Sequence, residues 1–350
     1  MRRIIAAVLA SVVLVLTAGS PSVAGGAPFR TERVNANGRG IGIRLVDIPT
    51  DLADDPRART YIIDNLSPGT TIQRRVEVTN STDSPLHVEL YAGAADIKDG
   101  SFIGAPDRTA NELTSWTTLR QETVDVPAGG SARGTAAIAV PKDAAPGERY
   151  AVIWAQVKGK SSGSITLVSR TGVRIYLSVG GNNPPPPMLT ADSMTAARDG
   201  EGRGTVVAQV HNVGGRALDL TGTLKLSHVD RRLTAGPYNI QLGVSLAPGQ
   251  SGSVKALVTD LVDDGPWTAT LELKSGLLQE AYQATITFPR AGGGAVPVAA
   301  HPSETPTRVS PLLLLGLLAA VVLLLVTAGR LRHARRAARA QARDEDVGAR

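Results

Sequence analysis

A chain of 350 residues is longer than one hydrophobic core usually serves, so two folded units are the starting expectation. There is no cysteine, which excludes disulfides, thiolate catalysis and cysteine-ligated metal centres. The net charge of +6 belongs to the two ends: from Gly25 to Ser310 there are 28 basic and 28 acidic residues, so the central region has no electrostatic footprint for nucleic acid.

The N-terminus opens with Arg2 and Arg3, then an apolar run from Ile4 to Leu16, then small residues ending at Ser22-Val23-Ala24. This pattern predicts a secretory signal peptide over residues 1–24, because the run is too short to span a bilayer and small residues flank the cleavage point. Residues 25–38 are expected to be an N-terminal segment outside the first domain.

Between residues 39 and 181 short alternating runs recur, bounded by Gly, Pro, Asn and Asp. Period two predicts strands, as in Ile41, Ile43 and Leu45, in Ile72, Arg74, Val76 and Val78, and in Leu86, Val88 and Leu90. Further runs at 134–140, 150–157, 165–169 and 173–179 give seven or eight strands, the number a β-sandwich needs. Residues 182–188 carry four consecutive prolines, which donate no ladder hydrogen bonds and favour stiff polyproline II, so a spacer is expected there.

Residues 189–289 repeat the grammar. VPAGGS (126–131) and LAPGQS (246–251) each precede an alternating strand, then a Pro/Gly turn, then a strand carrying Trp154 or Trp267. VTNSTDSPL (78–86) and HNVGGRAL (211–218) both read as strand, Asn turn, strand. Residues 290–308, rich in Gly, Pro, Ser and Thr, are expected to be a flexible stalk. Residues 309–328 contain no charge and at 1.5 Å per residue would reach about 30 Å, so they are expected to form a transmembrane helix. In the tail, 329–350, Arg330, Arg332, Arg335, Arg336, Arg339 and Arg343 are expected to be cytoplasmic anchor charges.

The fold class expected is thus an all-β ectodomain of two Ig-like β-sandwich domains plus one C-terminal transmembrane helix. The matching localisation is the cell membrane, single-pass, with the ectodomain extracellular and the C-terminus cytoplasmic. Arg outnumbers Lys 30 to 7, a bias expected of a GC-rich source such as an actinobacterium.

In the first module the series YIIDNLSPGTT, VEVTN, LTSWTTL, VDVPAGGS, AVPKDAAPGERYAVIWAQV and GVRIYLSVG resembles the WxL-interacting protein family of Gram-positive cell surfaces. The resemblance spans roughly Gly40 to Gly181. It implies an N-terminal Ig-like domain that binds peptidoglycan, a second Ig-like domain that engages proteins, and WxL-type partners.

Catalytic chemistry is hard to place. The histidines His87, His211, His228 and His301 lack metal-ligand spacing, and His87 alternates as a solvent-face residue. Gly159 to Gly163 fits GxSxG but falls in a hairpin loop rather than on a strand-to-helix elbow. No cofactor or metal is called for, and the expected function is a non-enzymatic binding scaffold for cell-wall glycan and surface proteins; the alternative is an accessory subunit of an envelope complex. Trp154 and Trp267 are expected to plug the cores. Loops on rigid sandwiches carry binding, so the segment from Asp96 to Leu113, with Phe102, Arg108, Trp116 and Arg120, is the expected ligand contact.

Overall fold

A computed structural model describes residues 40–159, 167–181, 183–290 and 293–303. The expected signal peptide, the membrane span and all six anchor arginines of the tail lie outside these residues.

The first half forms β1 (Ile41–Leu45), β2 (Ile62–Leu66), β3 (Thr71–Asn80), β4 (Leu86–Lys98), β5 (Ser101–Gly104), a single helical turn α1 (Glu112–Ser115), β6 (Thr117–Leu119), β7 (Thr123–Val126), β8 (Ser131–Ala139), β9 (Gly147–Lys158) and β10 (Val168–Val179). One sheet runs β1-β3-β8-β6. The other runs β2-β10-β9-β4-β5, with β7 also on β4. The chain crosses from one sheet to the other between β1 and β2, and β2 then pairs in parallel with β10, Ile62 opposite Ile175. Between the sheets lie Val76, Val78, Val88, Leu90, Ile138, Ile153 and Ile175, all from one face of their strands, as alternation requires.

The second half forms β11 (Leu189–Arg198), β12 (Gly204–Asn212), β13 (Leu218–His228), β14 (Thr234–Asn239), β15 (Val244–Leu246), β16 (Ser251–Val258), β17 (Trp267–Ser275), β18 (Leu278–Ile286), β19 (Pro297–Ala299) and β20 (His301–Pro302). Its sheets run β16-β12-β11-β19 and β14-β13-β17-β18-β20, with β15 on β13. Met194, Val210, Leu224, Leu226, Trp267, Leu271 and Phe288 fill the core between them.

The fold is therefore all-β, in two sandwiches of one plan. The twin asparagines show why. Asn80 is buried at the end of β3, and its Nδ2 donates to the carbonyls of Ser84, Val126 and Pro127 at 2.8, 3.1 and 3.1 Å. Asn212, buried at the end of β12, donates to the carbonyls of Arg216 and Leu246 at 2.8 and 2.9 Å. In both, the side-chain oxygen accepts an N–H two residues on, from Thr82 or Gly214. Each amide thus satisfies carbonyls of a turn that would otherwise be buried without a donor.

Three expectations differ from the structure. The stalk is not free of structure: β19 pairs with β11, β20 pairs with β18, and Val298 and Ala300 pack on the core, so residues 297–302 close an edge of each sheet. The proline segment is tied along the second sandwich, where Val213 and Gly215 donate to the carbonyls of Met188 and Pro186 at 3.1 and 3.2 Å. Trp154 is no core plug. Ala151, Ile153 and Ala155 point inward, so Trp154 lies half-buried on the outer face of its sheet, with the Arg170 guanidinium 4.3 Å above the ring. Trp267 does enter the core.

Candidate functional site: the joint between the sandwiches and its groove

The segment expected to be a long loop after Asp96 begins as a hairpin, and residues 105–111 remain loop. β4 continues to Lys98 and returns as β5, with Ile97 opposite Phe102. Asp99 and Gly100 form the tip with φ of 50° and 71°. Positive φ at both central residues is the requirement of a two-residue hairpin turn whose twist matches its strands, and Asp-Gly meets it. That dipeptide was the sequence signal for a hairpin here.

The hairpin reaches the second sandwich. The Gly100 carbonyl accepts from Ser245 N–H at 2.8 Å, and the Ile97 carbonyl accepts from Gln250 Nε2 at 2.9 Å. Behind it Tyr61, Phe102, Tyr150 and Tyr176 pack with ring centroids 5.2 to 6.2 Å apart. Ile63, Ile97 and Ala217 complete this small core, which draws on both halves of the chain.

A polar network surrounds it. Asp219, on β13, accepts at Oδ1 from Ser245 Oγ at 2.6 Å, from the Tyr176 hydroxyl at 2.9 Å and from Arg174 Nη1 at 3.3 Å. Its Oδ2 lies 3.3 Å from Arg57 Nε, while Arg57 Nη1 donates to the Ala217 carbonyl at 3.0 Å and to Ser275 Oγ at 3.3 Å. The Glu148 carboxylate accepts from Ala217 N–H at 2.6 Å and from the Tyr150 hydroxyl at 2.7 Å. Burial pushes the Glu148 carboxyl above its ordinary range, opposed by those two hydrogen bonds and by the positive charge of Arg57 and Arg216. Burial likewise raises the Tyr176 phenol and lowers the Arg216 guanidinium. Every one of these groups bridges the two sandwiches or orients one that does, so the joint is specified in direction as well as in area.

Beside the joint lies a groove of about 650 Å³. The hairpin tip, Asp99 to Ser101, forms one end; Gln241 to Val244 form one wall, and Ser251, Gly252, Ser253 and Lys255 of β16 form the other. Leu242 is 63% exposed there. Asp99 and Lys255 are the charged side chains in the lining.

The four residues singled out in the sequence have separate surroundings. Phe102 belongs to the joint, under the Arg174 guanidinium at 4.7 Å. Arg108 is exposed, stacked 4.3 Å over Tyr91 and paired with Glu89. Trp116 is buried against the first core, with Arg149 4.9 Å over its ring. Arg120 is exposed and its N–H donates to the Thr135 carbonyl. His87 is exposed beside Asp125. Sequence reading missed Arg57, Glu148, Arg174, Tyr176, Asp219 and Ser245. The available signal was a charged or phenolic residue at alternate positions of otherwise apolar strands, Arg174 and Tyr176 on β10 and Glu148 and Tyr150 on β9.

No family model matches the chain, and no curated protein matches it. Among solved structures, the Salmonella enterica SafA pilin with the SafB chaperone aligns at 10% identity over 71% of this chain and 96% of that one, with a TM-score of 0.38. The CupB2 chaperone of Pseudomonas aeruginosa aligns at 14% identity over 65% and 97%, TM-score 0.33. The class 5 fimbriae chaperone CfaA aligns at 9% identity over 75% and 100%, TM-score 0.33. At these scores the likeness transfers no function.

These findings correct two expectations. The resemblance to the WxL-interacting family of Gram-positive surfaces is withdrawn: no family model matches the chain, and no curated protein of that family or any other does. Repeated turn spacing is what any two sandwiches share, and that spacing had carried the resemblance. The single-pass membrane localisation is likewise not carried further: among the described residues no helix is long and apolar enough to cross a membrane, and residues 309–328 lie outside them. Cell-wall glycan and WxL-type partners go with the family that implied them.

Proposed function

We propose that this chain is a non-enzymatic binding protein, in which two sandwiches locked at one joint hold a partner protein in the groove beside it. The observation that carries this reading is that the groove draws its lining from both sandwiches at the place where Ser245 and Gln250 fix the hairpin tip. A recess built across a rigid joint keeps its shape when occupied, which lowers the ordering cost of binding. The charged groups at the joint are engaged with one another, Asp219 with Arg57, Arg174, Tyr176 and Ser245, so their geometry serves docking rather than proton transfer. Among the described residues no group of three or more His, Asp or Glu could hold a metal ion.

Leu242→Asp tests this reading. Leu242 is exposed, so folding should be unchanged, while a charge in the wall should abolish capture of a partner by the full chain from an extract of its source organism. Capture of the same partner at undiminished yield by the variant would show that the groove is not the site.

A further inference from the structure

The wall of the groove formed by β16 is a sheet edge with open main-chain groups. β16 pairs with β12 on one side only, from Ser251 opposite His211 to Val258 opposite Gly204. The Lys255 carbonyl accepts from Gln241 N–H at 2.7 Å, on the side away from β12. Main-chain groups in an antiparallel ladder alternate in direction, so those of Ser251 and Ser253 face the same way as those of Lys255, into the groove. Among the described residues the N–H and C=O of Ser253 and the N–H of Lys255 have no partner. Their side chains are occupied elsewhere or stand clear: Ser251 Oγ is 2.6 Å from His211 Nδ1, Ser253 Oγ donates to Gln209 Oε1 at 3.0 Å, and Lys255 is exposed.

The first sandwich shows what such an edge accepts. There β8 occupies the place of β16, following VPAGGS as β16 follows LAPGQS, and β6 pairs with it over three residues, Thr117 to Leu119. In the second sandwich the corresponding contact has shrunk to one bridge, Ile240 opposite Ala256, and the chain then turns away at Leu242. The occupant that an edge of this kind accepts is a strand.

Resting on the reading of the groove as a partner site, we propose that the partner enters as an extended segment that adds a strand to β16, antiparallel to it, over Ser251 to Lys255. The lining charges set its polarity. The hairpin tip stands at the Ser251 end of β16, because Gln250 and Ser245 bind it, so Asp99 marks that end and Lys255 the other. An antiparallel segment meets Lys255 first and Asp99 last. It therefore carries an acidic residue followed four positions later by a basic one, both on the outer face, since residues four apart in a strand share a face. Lys255 also argues for a different protein over a second copy: a symmetric pair of β16 edges would set like charges in the same short ladder.

The test uses the full chain and two synthetic peptides with capped ends, Thr-Glu-Val-Thr-Val-Arg-Thr and the same peptide with Glu and Arg exchanged. The Glu-first peptide should bind and slow amide hydrogen exchange at Ser253 and Lys255, with the reversed peptide weaker by about threefold, the scale of exposed ion pairs. Asp99→Lys combined with Lys255→Glu should invert the preference. Ser253→Pro removes an N–H that makes no bond to β12, so it should leave the melting temperature intact and weaken binding about tenfold or more. The inference is overturned if neither peptide binds by about 1 mM, or if binding leaves the Ser253 and Lys255 amides unprotected. It is also overturned if sedimentation shows the free chain self-associating through β16, with Ser253→Pro restoring the monomer. Loss of partner capture with Leu242→Asp but not with Ser253→Pro would leave the groove as the partner site and remove the strand.

Discussion

The two sandwiches share a skeleton and part company where they meet. Asn80 and Asn212 hold equivalent turns, and VPAGGS and LAPGQS lead into β8 and β16 in the same way. Beyond that point the first sandwich extends β4 by a hairpin that reaches across to its neighbour and covers its β8 edge with β6. The second has its own hairpin at the matching place, β13 returning as β14, and its β16 edge stays open beside the groove. The shared parts satisfy buried main chain and are needed for folding at all. The parts that differ build the joint and the recess, which is where a repeated module would acquire a task of its own.

That contrast can be broken at its shared end first. Asn212→Ala strips donors from the Arg216 and Leu246 carbonyls and an acceptor from Gly214 N–H, and should cost about 3 kcal/mol. Asn80→Ala, which removes three donated bonds, should cost at least as much. If the two asparagines are equivalent, hydrogen exchange will show each variant loosening its own sandwich first. Loss of protection in both sandwiches together from either variant would mean that the joint makes the molecule one cooperative unit.

The joint is the next target. Asp219→Ala leaves Arg57 and Arg174 facing each other without their shared carboxylate, at a cost of about 2 kcal/mol, less than for a wholly buried pair because both arginines retain some solvent contact. Calorimetry should then resolve two transitions or a broadened one, where the parent shows tighter coupling. An unchanged, single transition would locate the coupling in the aromatic cluster instead.

The smallest effect concerns pH. Because burial raises the Glu148 carboxyl, the folded joint favours its protonated form. The folded state therefore binds more protons than the unfolded one through this window, so the contribution to stability is complete below the ordinary carboxyl range. It declines as pH rises through the raised value. Glu148→Gln keeps an acceptor for Ala217 N–H and removes the titration. Urea melts from about pH 4 to about pH 7 should show a shallower fall for the variant than for the parent. Parallel slopes would assign the pH dependence to other groups.

What the sequence by itself determined is the local grammar. Alternation of period two in runs such as 72–78 and 251–258 predicts strands because a half-buried sheet leaves no other arrangement for those apolar residues, and the Asn turns and Pro-Gly punctuation place their ends. The repeat of that grammar gave two sandwiches. Only the tertiary structure decided the rest. Trp154 and Trp267 stand at matching places after matching turns, yet one is on an outer face and one is in a core, because a strand's pattern does not say which of its faces meets the partner sheet. Residues 297–302 have a linker's composition and still pair, since main-chain hydrogen bonding at an edge is indifferent to side chains. The joint was least legible of all: Arg57, Glu148 and Asp219 are 71 and more residues apart in the chain, and ion pairs and hydrogen bonds between such distant residues leave no periodicity to read.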